Sequence, residues 1–284
     1  MTAAATQEAT RPQILTVDTI TLRFGGVVSL ESVSLEQYVG EILAVIGPNG
    51  AGKTSLFNCL AGVYHPDSGD ITFTADGHPP VSLIGRRPDQ VTQLGIARTF
   101  QNIRLFNALT AFENVKIGIE SRQKTGPIGA MARLPRTRRE EREGDEQARR
   151  LLEFVGLRGR GDAIASSLAY GEQRRLEIAR ALGTKPRLLL LDEPAAGTTR
   201  KEKTELEALI RRIRDELDVT VLLIEHDMRL VMALADRVVV LNFGKVIASG
   251  TPAEVQRHPA VVEAYLGTAA GSAAGEQGQP GDPS

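Results

Sequence analysis

Residues 41–54 read Glu41-Ile42-Leu43-Ala44-Val45-Ile46-Gly47-Pro48-Asn49-Gly50-Ala51-Gly52-Lys53-Thr54. A short apolar run of strand length ends at a glycine turn, and the turn ends in Lys-Thr. The turn fits G-x-x-x-x-G-K-[ST] at every fixed position, in the strand–loop–helix setting such a loop requires. Glycines at 50 and 52 remove the Cβ atoms that would keep successive backbone N–H groups from pointing at phosphate oxygens. The helix expected to start near Lys53 adds the positive end of its dipole. Lys53 is expected to reach the β- and γ-phosphates, and the Thr54 hydroxyl to ligate Mg²⁺. An ordinary glycine turn has no need of Lys-Thr. Gly47, Pro48, Asn49, Gly50, Ala51, Gly52, Lys53, Thr54 and the following Ser55 are therefore the expected contacts to a nucleoside triphosphate.

Outward from this loop, Leu188 to Leu191 and Val219 to Ile224 are also continuous apolar runs. Parallel strands covered by helices on both faces read this way. Ile14 to Phe24 and Val27 to Leu35 read as two further strands around a Gly25-Gly26 turn. The predicted fold is α/β. It has a parallel core sheet, an N-terminal antiparallel β part, and a helical stretch from about Gln101 to Leu168. Asp192 ends the leucine run, where a carboxylate can hold Mg²⁺ through water. Glu193 follows it, and His226 ends another apolar run. Leu206, Leu209, Ile210, Ile213 and Leu217 fall on one face of a helix. Thr199-Arg200-Lys201-Glu202 before them is a capping box.

The chain has 284 residues, with 34 basic against 35 acidic side chains. That balance gives no global electrostatic footprint for nucleic acid. Cys59 is the sole cysteine. It excludes an internal disulfide, suits a reducing cytoplasm, and is expected to be a small buried residue. No apolar run approaches the ~18–20 residues that span a bilayer. Residues 1–12 lack the pattern of a signal peptide and read as a disordered tail, as do residues 268–284. Arg122, Lys124, Arg133, Arg136, Arg138 and Arg139 form a run without acids. It reads as a solvated helix and loop, or as a patch drawn to anionic lipid.

The phosphate loop, Leu168-Ala169-Tyr170-Gly171-Glu172-Gln173 and Leu188 to Glu193, in this order, resemble the ATP-binding cassette of ABC transporters. The resemblance covers about Ile14 to Gly267. It implies an ABC-type ATPase domain at 13–267, with a helical subdomain at about 101–183. It also implies roles. Glu193 polarises the attacking water, His226 contacts the γ-phosphate, and Gln101 senses Mg²⁺ and the water. Phe24 stacks on adenine. Ala169, Tyr170, Gly171, Glu172 and Gln173 form the signature loop, which completes the ATP site of a second subunit. Cofactors are then ATP and Mg²⁺, and the chain works as a homodimer or with a paralogue.

The resemblance further implies transmembrane permease subunits, an indirect link to a solute-binding protein, and a peripheral place on the cytoplasmic face of the inner membrane. Two departures stand out. The commonest family signature is Leu-Ser-Gly-Gly-Gln, and here Ala169 replaces the serine and Tyr170 the first glycine. Thr199 stands where relatives usually carry Asp or Asn. Phe24-Gly25-Gly26, Arg98-Thr99-Phe100-Gln101, Gln173 to Arg180, Ile224 to Met228 and Ala264-Tyr265-Leu266-Gly267 look like the ATPases of branched-chain amino-acid importers. The alternatives are a lipopolysaccharide-export type ATPase, or a soluble cassette protein acting on ribosomes or DNA. Single motif copies and the absence of sustained heptads speak against the soluble class.

Overall fold

The computed structural model describes residues 11–75, 77–121 and 135–265, with the side chains of 135–138 excepted. The two expected tails, apart from Arg11 and Pro12, lie outside the described residues. So does most of the basic run at 122–139. Of that run, Arg139 is described, and its guanidinium pairs with Glu143 at 2.8 Å.

Among the described residues, ten strands form two sheets. β1 (Gln13–Phe24), β2 (Val27–Tyr38), β4 (Ser68–Phe73) and β5 (Val81–Ser82) make an antiparallel sheet in the order β2-β1-β4-β5. Phe24 pairs with Val27 across the Gly25-Gly26 turn. Gly25 has φ 57°, a left-handed value that favours glycine. The carbonyl of Pro12 already accepts from Val39 N–H, so sheet pairing reaches one residue before β1.

The second sheet holds β3 (Ile42–Ile46), β6 (Ile96–Arg98), β7 (Leu188–Asp192), β8 (Thr220–Ile224), β9 (Arg237–Asn242) and β10 (Lys245–Gly250). Its order is β10-β9-β3-β8-β7-β6, parallel except for the edge strand β10. Every residue of β3, β7 and β8 is buried. The period-2 alternation of side chains sends them to opposite faces of the sheet, with Ala44 and Ile46 of β3 packing toward Val231, Val238 and Val240. Leu43, Val45, Leu188, Leu190, Leu222 and Ile224 pack with Leu56, Phe57 and Leu60 of α1 (Lys53–Leu60) and with the antiparallel sheet. Ile42, Leu189, Leu191, Val221 and Leu223 face the helical side. Each such aliphatic side chain contributes about 1.5–3 kcal/mol on burial.

A short helix, α2 (Pro88–Leu94), precedes β6. Between β6 and β7 come α3 (Ala111–Glu120), α4 (Pro135–Phe154) and α5 (Tyr170–Gly183). They share the helical core through Val115, Leu151, Leu152, Leu176 and Ile178. α6 (Arg200–Leu217) buries Leu206, Leu209, Ile210 and Ile213 as its periodicity predicts. Leu217 is exposed, because the helix ends there at Asp218 in the left-handed conformation. α7 (Met228–Leu234) and α8 (Pro252–Arg257) cover the β9–β10 end. Cys59 is buried in α1, and burial pushes its thiol up to about 12, so it packs rather than reacts.

The parallel strands deliver their carboxyl ends to one place. Gly47 follows β3, Glu193 follows β7 and Glu225-His226 follow β8. Ligands of open parallel sheets bind at these ends.

Candidate functional site

The phosphate loop is built as its sequence demands. Gly50 and Gly52 take φ 78° and 101°, and Gly52 caps α1. A Cβ on Gly52 would stand 2.6 Å from the Ser29 carbonyl, so only glycine fits. At Gly50 nothing lies within 4 Å of that position, and the loop is open to a ligand there. Lys53 is buried, and its Nζ donates to the Gly47 and Pro48 carbonyls at 2.7 and 2.9 Å. Burial pulls its ammonium below the usual lysine value, and the carboxylates of Glu193 and Asp192 oppose that shift. Thr54 is exposed at the start of α1. Ser55 is half-buried and accepts a hydrogen bond from the Ser29 hydroxyl at 2.7 Å.

Asp192 is buried, and Arg98 Nη2 donates to its Oδ2 at 2.9 Å. Arg98 also donates to Asn58 Oδ1 at 2.6 Å. Its guanidinium lies between Phe57 and Phe100, 5.6 and 5.3 Å from their ring centres. The partner of Asp192 was not foreseen from the sequence, although Arg98 stands only three residues before Gln101.

Glu193, Gln101 and His226 come together. Gln101 Nε2 donates to Glu193 Oε2 at 3.0 Å, and His226 Nδ1 lies 3.7 Å from the same oxygen. Glu193 has φ 45°, in the left-handed region, at a cost of roughly 1–3 kcal/mol. Its N–H donates to Ile224 O on the neighbouring strand, and its carbonyl accepts from Ala196 N–H. The His226 backbone is held by Glu225, which is fully buried. That carboxylate accepts from the N–H groups of His226, Asp227 and Ala195 at 2.9, 3.0 and 2.9 Å. It ties the segment after Glu193 to the segment carrying the histidine.

Phe24, at the end of β1, is half exposed and meets Tyr64 edge to face, with ring centres 5.1 Å apart. Tyr64 is the second aromatic at this corner, and the sequence reading passed over it.

The signature residues stand apart from the phosphate loop. Among the described residues, no hydrogen bond or ion pair joins 169–173 to 47–55. Ala169 precedes α5, and its N–H donates to Glu172 Oε2 at 3.1 Å. This is half a capping box, since a methyl group cannot accept from the N3 amide. Gln173 Nε2 donates to the Leu168 carbonyl. Arg174 and Glu177, both buried, form an ion pair at 3.1 Å.

A carboxylate placed beside an inward amine, a glycine cradle open at one face and an exposed hydroxyl at the helix start suit a magnesium nucleotide. Thr54 and Asp192 are the residues that would hold the metal. When bound, the ion would neutralise phosphate charge.

The family model described as "ABC transporter" matches residues 30–196. A second, described as "Branched-chain amino acid ATP-binding cassette transporter", matches 245–271. The high-affinity branched-chain amino acid transport ATP-binding protein LivG of Escherichia coli K12 is 45% identical over 256 residues, covering 90% of this chain and 98% of that protein. BraF of Pseudomonas aeruginosa, of the same description, is 46% identical over the same shares. The ADP conformation of MJ1267, a solved ATP-binding cassette of an ABC transporter, superposes with a TM-score of 0.77 at 30% identity, covering 90% of this chain and 99% of that one. With the phosphate loop, the carboxylate pair and the signature helix arranged as above, the chain belongs to the ABC transporter family as an ATP-binding cassette.

Proposed function

We propose that this chain is the ATP-hydrolysing subunit of an importer for branched-chain or related amino acids. In this reading two cassettes enclose ATP between the phosphate loop of one and the signature loop of the other. Separate permease subunits carry the solute, and the cassettes sit peripherally on the cytoplasmic face of the membrane. No helix among the described residues is long and apolar enough to cross a membrane, which agrees with a separate permease. The observation that carries hydrolysis is the cluster of Gln101, Glu193 and His226 at the carboxyl ends of the strands beside Lys53.

Glu193 is the base for water, Gln101 orients it, and His226 faces the γ-phosphate. Lys53 binds the β- and γ-phosphates, with Thr54 and Asp192 on Mg²⁺. Phe24, backed by Tyr64, offers an apolar face to adenine. The choice of solute rests on kinship with proteins of the LivG description, since fold alone does not set a substrate. The test is purification with the membrane partners, followed by uptake in proteoliposomes. ATP-dependent uptake of leucine, isoleucine or valine is expected. ATP-dependent uptake of other solutes with none of these would contradict the amino-acid assignment.

A further inference from the structure

Tyr170 takes the place of a glycine in the commonest signature, and its side chain is tied to the other half of the site. Its hydroxyl accepts from Arg174 Nη2 at 3.2 Å, one helical turn along α5. The same Nη2 donates to the Gln101 carbonyl at 2.8 Å, and Nη1 donates to the Phe100 carbonyl at 2.6 Å. Glu177 completes the clasp. Its Oε2 accepts from Arg174 Nη1, and its Oε1 accepts from the Arg104 and Phe100 N–H groups at 3.1 and 3.4 Å. A buried ion pair thus grips both ends of the loop that carries Gln101, whose side chain reaches Glu193.

The tyrosine ring lies over Gly197 in the segment after Glu193, 3.3 Å from where a Cβ would stand. A Cβ on Gly171 would come within 2.3 Å of Glu202 Oε1. The signature loop is therefore fitted against the segment that follows Glu193 and, through Arg174, against the Gln101 loop. A lone space-filling tyrosine would need neither the buried guanidinium nor its two carbonyl contacts.

We infer that Tyr170 is a positioning residue: through Arg174 it couples the Gln101 loop of a subunit's own site to the signature loop that the subunit presents to its partner's ATP. This rests on the proposed function and deepens it. A shift of the Gln101 loop on nucleotide binding drags the two guanidinium contacts, and with them the first turn of α5. The amides at 170–172 are then presented according to whether the subunit's own site is filled.

Hydrogen exchange on the full chain tests the link, with and without Mg-ATP, at a concentration where light scattering gives a monomer in both states. In the parent, Mg-ATP changes exchange at 47–54, 99–105 and 169–174 together. In Tyr170→Phe the changes at 47–54 and 99–105 stay, while that at 169–174 falls to below about a third. At dimer-forming concentration, kcat of Tyr170→Phe falls roughly fivefold with KM within about twofold. An unchanged response at 169–174 with parental kcat overturns the inference. So does a parental Tyr170→Phe beside a defective Tyr170→Gly, since the ring alone would then matter. No response at 47–54 in the parent contradicts nucleotide binding itself, and the inference falls with it.

Discussion

Asp192 ends a strand of leucines with both its faces covered, so its charge needs a partner or water. Arg98 supplies the partner, and both side chains are almost fully buried. Removing one member of a buried pair leaves the other uncompensated. Arg98→Ala is expected to lower stability by about 3–5 kcal/mol in urea unfolding. A loss below about 1 kcal/mol would mean that Asp192 is satisfied without it. The carboxylate was legible in the sequence because a strand end beside a phosphate loop calls for one. Its partner was not, because the two residues are 94 apart and no local pattern links them. The same holds for the Arg174 contacts to Phe100 and Gln101, and for Glu225 gripping Ala195. Local motifs name the groups that would meet a ligand, and long-range folding names the groups that hold them.

Elements were read most surely where one physical rule dominates. The β1–β2 turn followed from two glycines, and β3, β7 and β8 followed from runs too apolar to face water. The sequence reading gives no strand at β4, β5, β6, β9 or β10. The mixed surface of the edge strand β10 and the two-residue β5 give no clear period, while Val238 to Leu241 in β9 is an apolar run that the reading passed over. The capping box of α6 was legible and is formed. Thr199 Oγ1 accepts from Glu202 N–H, and Glu202 Oε2 accepts from Thr199 N–H at 2.8 Å. The Thr199 N–H, together with the Thr199 hydroxyl that donates to the same oxygen, holds the Glu202 carboxyl below its usual range. Thr199→Ala should cost roughly 0.5–2 kcal/mol, read as a lower melting temperature, while Thr199→Asn caps comparably. Parental melting of Thr199→Ala would remove the cap from the account. α6 opens right after the segment that follows Glu193, so the cap fixes the chain at the edge of the site as well as the helix.

At the scale of the molecule, the proposed function gives the chain two unlike halves of an ATP site. One is the loop at 47–55 with Asp192, Glu193, Gln101 and His226 around it. The other is the signature turn at 169–173, which makes no polar contact to that loop among the described residues. In that reading a single subunit leaves each half without its complement, and pairing two subunits head to tail would supply both. ATP enclosed at such an interface would make association depend on nucleotide, by mass action on the paired state. Glu193→Gln keeps the shape of the side chain and its contact range to Gln101 while removing the base. The most direct measurement is the mass of Glu193→Gln in solution, by light scattering with and without Mg-ATP, alongside its rate of phosphate release. Expected are a monomer without nucleotide, a dimer holding two ATP per pair with it, and phosphate release nearly abolished. A monomer under both conditions, or hydrolysis at the parental rate, would contradict the proposed function.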